Sequence, residues 1–187
     1  GQFKVVLERY QNPNNRLHDG SCCDEYIKPC TSDCKPYFKI TLKGKTAKLL
    51  KPDRTGKYIS FSSQTASFSF NAWNRNQSLF LEIWEYDKLT KDDLIDDGTI
   101  TLPAKADKSL PASKPHLLFF KGEYVTLNIT VKIFCDPGFS PPDCLKYCLP
   151  RNSDEGHYNC SKTGEKLCLK NWHGNNCKIY CDEQNNQ

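Results

Sequence analysis

The sequence predicts an all-β protein in which an antiparallel sandwich is followed by a small disulfide-rich module. About eight short segments of alternating apolar and polar residues fill residues 1–134, and clusters of Gly, Pro, Asn and Asp separate them. Six cysteines then follow within residues 135–177. Because so short a stretch cannot bury an ordinary hydrophobic core, disulfide bonds are expected to hold it together.

The first 134 residues show no long helical period, so strands are expected where apolar residues recur at every second position. The predicted strands are Phe3–Tyr10, Tyr37–Leu42, Lys57–Phe61, Ala66–Phe70, Leu79–Tyr86, Thr99–Leu102, His116–Phe120 and Tyr124–Phe134. Their aromatic and aliphatic side chains would fill the space between two sheets.

The cysteine content predicts an oxidising, extracellular compartment, since the chain has 11 Cys and cytosolic thiols stay reduced. Cys22, Cys23, Cys30 and Cys34 lie close together and are expected to form two disulfides. The neighbours Cys22 and Cys23 would form a strained ring, so each is expected to pair with Cys30 or Cys34, in an order that the spacing leaves open. A zinc site is the competing interpretation. Cys181 is left over and is expected to pair with a cysteine of a following module.

Three Asn-x-Ser/Thr sequons agree with secretion, and we expect glycans on Asn76 and Asn128. The third sequon, at Asn159, adjoins a cysteine and is the least favourable acceptor.

No apolar run reaches about 18 residues, so no membrane span is expected. The net charge of +4 is modest. Its diffuse distribution excludes nucleic-acid binding and permits attraction to an acidic membrane surface.

An acidic segment, Ile83–Asp97, is predicted to be a loop, and its carboxylates would repel each other unless water or a cation surrounds them. It resembles the third calcium loop of C2-type phospholipid-binding domains, and the segment at Ser32-Asp33 resembles their first loop. Ca²⁺ takes six to eight oxygen ligands, which suits such a loop. The resemblance implies calcium ligands at Asp33, Glu85, Asp87, Asp92 and Asp93. The alternative is a solvated acidic turn.

An enzyme is not expected. The run Asp19–Tyr26 is similar to the active-site helix of secreted phospholipases A2, but Tyr26 stands where that chemistry needs a His. A tyrosine with a pKa near 10 cannot act as that base near neutral pH. The four His are scattered, and there is no nucleophile elbow, phosphate loop or zinc-protease motif.

The C-terminal cysteines resemble the Delta/Serrate-type (DSL) module of Notch ligands in their spacing. The motifs Gly156-His157-Tyr158 and Trp172-x-Gly174 are also similar to that module. Upstream, Cys22-Cys23 and Tyr37-Phe-Lys resemble the N-terminal domain of Jagged/Serrate ligands, which is a C2-like sandwich. The resemblance implies a C2-like domain at 1–134, a DSL domain at 135–180, and the start of an EGF-like repeat or a linker at 181–187.

The same resemblance implies three disulfides, namely Cys135–Cys144, Cys148–Cys160 and Cys168–Cys177. It also implies a receptor-contacting surface in which tyrosine and arginine would be the anchors. This surface would consist of Phe139, Tyr147, Leu149, Arg151, Asp154, Glu155 and His157. Asp154 and Glu155 stand where the family usually has large aromatic residues. Gly156, His157, Tyr158 and Trp172 fit a scaffold role better than a contact role.

The function implied is that of an extracellular ligand fragment that docks on the EGF-like repeats of a Notch receptor in cell–cell signalling. The C2-like domain is expected to add contact with a phospholipid surface. Such a fragment would be the ectodomain of a single-pass cell-surface protein. The alternatives are a secreted antagonist of the same pathway and a calcium-dependent membrane-binding or adhesion protein.

Overall fold

The computed structural model describes residues 1–23, 29–49, 55–62, 64–88 and 90–181. Regular structure in these ranges consists of β-strands and one short 3-10 turn. No helix in the described ranges is long and apolar enough to cross a membrane.

The first nine strands pack as two antiparallel sheets, as the sequence predicts. They are β1 (Gln2–Gln11), β2 (Pro36–Leu42), β3 (Lys45–Leu49), β4 (Tyr58–Ser60), β5 (Thr65–Ser69), β6 (Ser78–Glu85), β7 (Asp93–Thr101), β8 (His116–Lys121) and β9 (Thr126–Phe134). One sheet has the order β3-β2-β6-β7. The other has the order β4-β1-β9-β8, and β5 pairs with the part of β1 that β4 leaves open.

The core forms because alternate side chains of each strand point into the space between the sheets. In β1 this alternation buries Phe3, Val5 and Leu7, and a bulge between Leu7 and Arg9 restores the inward direction for Tyr10. Strand β9 alternates without interruption. Each fully buried aliphatic or aromatic side chain contributes about 1.5–3 kcal/mol. Residues with no exposed surface include Ile40, Leu79, Leu81, Ile83, Ile95, Leu127, Ile129 and Val131.

Two strand predictions are corrected. The predicted strand Thr99–Leu102 is too short, because β7 already begins at Asp93 and pairs with β6 along its whole length. The acidic segment Ile83–Asp97 is therefore largely two strands and their connection. Strand β3 was not predicted, since Lys45–Leu49 lacks a clear apolar alternation. A tight turn forms it: Lys43 and Gly44 have φ of 50° and 75°, and such positive values suit a two-residue hairpin.

Two disulfides cross-link the connection between β1 and β2. Cys22 bonds Cys30, and Cys23 bonds Cys34. Cys23 and Cys34 have no exposed surface and belong to the core. The structure thus settles the pairing that the spacing left open, and with all four sulfurs in disulfides the zinc interpretation is wrong.

The C-terminal module is built from short ribbons. Its strands are β10 (Phe139–Ser140), β11 (Lys146–Tyr147), β12 (Arg151–Ser153), β13 (Gly156–Cys160), β14 (Lys166–Cys168), β15 (Trp172–His173) and β16 (Ile179–Tyr180), with a 3-10 turn at Asn175–Cys177. β10 pairs with β11, β12-β13-β14 form a three-stranded sheet, and β15 pairs with β16. Its bonded pairs are Cys135–Cys144, Cys148–Cys160 and Cys168–Cys177, which are the pairs that the resemblance implies.

The first disulfide of this module packs with the sandwich. Cys135 and Cys144 are buried in the core cluster of the sandwich, whereas the module has its own small cluster around Tyr158. Two backbone hydrogen bonds also link the loop closed by this disulfide to the sandwich, and we call this region of contact the joint. They run from Trp73 N–H to the Asp143 carbonyl and from Ala106 N–H to the Pro142 carbonyl, both at 2.9 Å. The chain therefore turns from one domain into the other through a loop that is fixed on the sandwich.

Candidate binding surface

The ribbon β10-β11 positions the central aromatic of the predicted surface. Phe139 is the ladder partner of Tyr147, and their rings lie 5.1 Å apart. Gly138 has a φ of 84°, and a Cβ added there would come within 2.5 Å of Tyr147 Cε2. The Gly138 carbonyl accepts a hydrogen bond from the Cys148 N–H at 2.8 Å. Tyr147 thus lies on Phe139 and on a backbone that has room for its ring only because residue 138 is glycine.

An exposed apolar row runs along this edge of the module. Leu145, Tyr147 and Leu149 are 61%, 58% and 48% exposed and recur at every second position. Of the residues between them, Cys148 is buried and Lys146 is exposed. Cys144 and Cys148, beside them, are buried in disulfides. The disulfides of Cys144 and Cys148 therefore fix the backbone that carries these three side chains. We call Leu145, Tyr147 and Leu149 the apolar row.

Sequence reasoning missed Leu145. The signal was present, because Leu145, Tyr147 and Leu149 recur at every second position between cysteines whose burial could be expected. Phe139 has a different place from the other predicted contacts: it is partly buried and packs against the sandwich core. Through its contact with Tyr147, Phe139 links the apolar row to the sandwich.

The hairpin β12-β13 carries the polar part of the predicted surface. Arg151 forms an ion pair with Glu155, and both side chains are exposed to solvent. Asp154 lies at the exposed tip of the same hairpin. Arg151 follows Leu149, the last residue of the apolar row, by two residues, so the hairpin begins directly after the row.

The side chain of His157 is partly buried and is fixed by contacts with two neighbours. Its ring stacks on Trp172 with 3.4 Å between centroids, and Nδ1 lies 2.5 Å from Asn152 Oδ1. Tyr158 is buried between the disulfides, and Lys166 Nζ lies 4.8 Å from the centre of its ring. These contacts fit the scaffold role expected for the Gly156-His157-Tyr158 motif.

A groove of about 490 Å³ opens beside Leu149, between the module and the sandwich. Its walls include Phe139, Leu149 and Pro150 from the module and Leu110 and Pro111 from the connection before β8. Leu110 is 44% exposed. The exposed apolar row is thus continuous, at Leu149, with a concave and mainly apolar groove.

Glu85 and Asp93 of the predicted calcium set are ladder partners at the ends of β6 and β7. Glu85 is only 1% exposed, its Oε2 accepts the Lys35 N–H at 2.6 Å, and Oε1 lies 4.0 Å from Lys35 Nζ. The protein itself therefore uses the Glu85 carboxylate, while Asp93 is exposed.

Two more carboxylates of the set, those of Asp33 and Asp92, also have protein partners. Asp33 Oδ1 accepts from Asn15 Nδ2 at 3.2 Å. Asp92 accepts the Tyr37 hydroxyl at 2.7 Å and the Asp87 N–H at 3.1 Å. Burial and this hydrogen bond to a carboxylate raise the pKa of Tyr37 well above its ordinary value. Carboxylate oxygens are suitable donors for Ca²⁺, and calcium binding at this end of the sandwich stays a prediction.

Asp96 has a structural task in the sandwich. It is 4% exposed, and its two oxygens accept the N–H groups of Asp97 and Glu123 at 2.9 and 3.0 Å. A Cβ at Gly122 would overlap Asp96 Oδ2. His18 Nδ1 lies 3.8 Å from Asp96 Oδ1. Asp96 thereby ties the turn between β8 and β9 to the other sheet.

Two predictions extend to residues outside the described ranges. Tyr26, on which the comparison with phospholipases A2 depended, is one of them. Residues 182–187 of the predicted EGF-like start or linker also lie outside, while Cys181 is exposed and has a free thiol.

The fold and the disulfide module match known domains. The family model "Delta serrate ligand" matches residues 135–180, and "N terminus of Notch ligand C2-like domain" matches residues 1–66. Protein jagged-2 of Mus musculus is 28% identical, covering 95% of this chain and 17% of its own length. Neurogenic locus protein delta of Drosophila melanogaster is 25% identical, covering 96% of this chain and 25% of its own length. The chain therefore spans a quarter or less of these curated relatives.

Solved structures agree with the fold. The Drosophila C2-DSL-EGF1 structure superposes with a TM-score of 0.69 at 22% identity, covering 96% of this chain and 87% of that one. Human GIVD cytosolic phospholipase A2 gives a TM-score of 0.52 at 16% identity, covering 75% of this chain and 17% of that one. The second likeness reflects the sandwich fold alone.

A C2-like sandwich followed by a disulfide-held module is the domain pair that the two family models describe for Notch ligands. The chain belongs to the Delta/Serrate/Jagged family of Notch ligands and carries the family's C2-like and DSL domains. This is a family of signalling ligands and not of enzymes.

Proposed function

We propose that this chain binds EGF-like repeats of a Notch receptor through the apolar row and the adjoining hairpin at Arg151. As part of a cell-surface ligand it would act outside the cell in cell–cell signalling. The observation that carries the proposal is the apolar row itself, whose three large side chains are each about half exposed. They lie on a segment whose backbone is fixed by two disulfides.

The physical argument is preorganisation. A partner gains the apolar contact area of Leu145, Tyr147 and Leu149 without ordering the loop, because Cys148 and the ring of Phe139 already fix it. Tyrosine and arginine are the residue types that most often anchor an interface. Arg151, beside the row, adds a charged donor whose present partner is the exposed Glu155.

The sandwich would extend the same interface. The disulfide Cys135–Cys144 and the hydrogen bonds from Trp73 and Ala106 fix the joint, so a receptor docked on the apolar row would also face the sandwich. We propose that the far end of the sandwich, at the predicted calcium carboxylates, contacts phospholipid. The support for this is the C2-like family of the domain and its carboxylate-rich end.

Surface plasmon resonance against a fragment of receptor EGF-like repeats tests the proposal. Leu149 and Leu167 form a matched pair, since both are leucines of the same module with 48% and 52% exposure. We expect Leu149→Ala and Tyr147→Ala to weaken binding by about tenfold or more each, and Leu167→Ala to leave it unchanged. Arg151→Ala is expected to weaken binding by a smaller factor.

Two results would count against different parts of the proposal. Absence of binding by the folded wild type at high micromolar concentration would overturn the receptor-binding function. Binding that is equally strong in the Leu149, Tyr147 and Arg151 variants would overturn only the surface assignment. Strong calcium-dependent sedimentation with acidic liposomes, without receptor binding, would favour the membrane-adhesion alternative.

A further inference from the structure

The outer face of β8 is an exposed apolar surface that the proposed function does not use. Strand β8 is the last strand of its sheet among the described residues. Phe120 points inward and is buried, whereas Leu117 and Phe119 point outward and are 54% and 64% exposed. Two large apolar side chains on an edge strand favour aggregation with another chain, so we expect a further group to shield this face from solvent.

The sequon at Asn128 lies directly beside this face. In the ladder between β8 and β9, Phe119 is opposite Asn128 and Leu117 is opposite Thr130. Ile129, between them, has no exposed surface. Because successive side chains alternate, the acceptor Asn128 and the sequon threonine Thr130 lie on the same outer face as Phe119 and Leu117.

We propose that Asn128 carries an N-linked glycan whose first N-acetylglucosamine lies on the ring of Phe119 and covers this face. In the transfer, Asn128 Nδ2 forms a bond to the anomeric carbon of an oligosaccharide carried on a polyprenyl diphosphate. The bond from that carbon to the diphosphate oxygen breaks, the lipid diphosphate leaves, and the transferase takes the amide proton. The disulfides indicate the oxidising secretory route on which this chemistry occurs.

The distances suit a sugar on the ring. Directly opposite residues of an antiparallel pair have Cβ atoms about 4.5–5.5 Å apart. The first sugar extends from the Asn128 amide by about the length of an aromatic side chain, which brings it over Phe119. One face of a pyranose presents only C–H groups, and such groups pack favourably on the electron-rich face of an aromatic ring.

The sequon at Asn76 provides a matched control. It is exposed in the turn before β6, outside the paired strands, and no aromatic residue is its ladder partner. A glycan there would add bulk and solubility as any surface glycan does. It would have no ring to cover, so the two sites separate a general effect of glycosylation from the specific contact with Phe119.

The experiment uses the chain secreted from a eukaryotic cell that makes high-mannose glycans. Peptide mapping measures occupancy of Asn128, and thermal unfolding is followed for wild type, Asn128→Gln and Asn76→Gln. We expect Asn128 to be occupied and its loss to lower Tm by about 2–4 °C, with a smaller change for Asn76→Gln. Trimming with endoglycosidase H, which leaves one sugar on each site, is expected to keep the wild-type Tm.

The same measurements in a Phe119→Thr background separate contact from bulk. If the sugar packs on the ring, loss of the Asn128 glycan lowers Tm in wild type and hardly at all in the Phe119→Thr background. An unmodified Asn128 in the secreted protein would overturn the proposal, as would an equal Tm loss in both backgrounds. Dimerisation of the glycosylated protein through this face, lost on Phe119→Thr in sedimentation velocity, would assign the face to a second copy instead and would overturn it as well.

Discussion

The ring of Tyr147 lies 5.1 Å from the ring of Phe139 and directly over Gly138. Phe139 in turn packs on the sandwich core. The most prominent aromatic of the candidate surface is therefore connected, through one ring, to the interior of the other domain. This relationship makes the position of Tyr147 sensitive to a single methyl group at residue 138.

Gly138→Ala should displace Tyr147 and weaken receptor binding by about tenfold or more, because overpacking of this kind costs about 1–3 kcal/mol. The measurement is surface plasmon resonance with the same receptor fragment. Gly44→Ala is the matched control, since Gly44 also has a positive φ, 75°, but no atom lies within 4 Å of the added Cβ. Equal binding by both variants would contradict the role given to Gly138.

Gly122→Ala should destabilise the sandwich by about 1–3 kcal/mol, because the added Cβ overlaps the Asp96 carboxylate. Chemical denaturation measures the free energy of unfolding. The same substitution in an Asp96→Ala background should cost much less, since the overlapping oxygen is gone. Additive effects of the two changes would show that the overlap is relieved elsewhere.

The disulfides Cys135–Cys144 and Cys168–Cys177 have the same sequence separation, 9, so their removal costs the same loop entropy, about 2.7 kcal/mol. We expect their structural effects to differ. Replacing Cys135 and Cys144 with Ala should also loosen the sandwich, since both lie in its core. Replacing the other pair should loosen only the C-terminal module. Hydrogen exchange of the amides in β1 and β9 distinguishes the two, and equal protection in both variants would contradict the shared core.

Calcium binding predicts a ligand-dependent stability. At a concentration 100 times its Kd, Ca²⁺ should stabilise the wild type by about 2.7 kcal/mol. Asp87→Asn should abolish that gain; Asp87 is preferred to Asp92 for this test because Asp92 also accepts the Tyr37 hydroxyl. Asp154→Asn, in the other domain, serves as the control. An unchanged Tm together with no heat in calorimetric titration would contradict the calcium prediction.

Alkaline pH should destabilise the sandwich through Tyr37. Burial and the hydrogen bond to Asp92 raise its pKa in the folded state above the ordinary value of 10.0. Above pH 10 the unfolded chain loses this proton first, so the free energy of unfolding falls as pH rises, by about 1.4 kcal/mol per unit. Tyr37→Phe should reduce that slope and leave the pH dependence below 9 unchanged, as measured by denaturation with Cys181 alkylated. Equal slopes would contradict the shift.

Most of the strand pattern could be predicted from the sequence, because buried residues recur at every second position throughout β6 and β9 and over most of β1 and β2. Two parts could not. Strand β3 forms because the turn at Lys43 and Gly44 brings it beside β2, and not because of its own apolar pattern. The first half of β7 is acidic, and its pairing with β6 overrides a composition typical of a loop.

The sequence by itself determined the family, the all-β class and the set of cysteines that must bond, since these follow from local patterns and spacing. Only the tertiary structure decided which N-terminal cysteines pair, and that Cys135–Cys144 packs with the sandwich. It also placed Phe119 opposite Asn128. The physical reason is that burial and ladder register depend on residues far apart in the chain, which no local pattern contains.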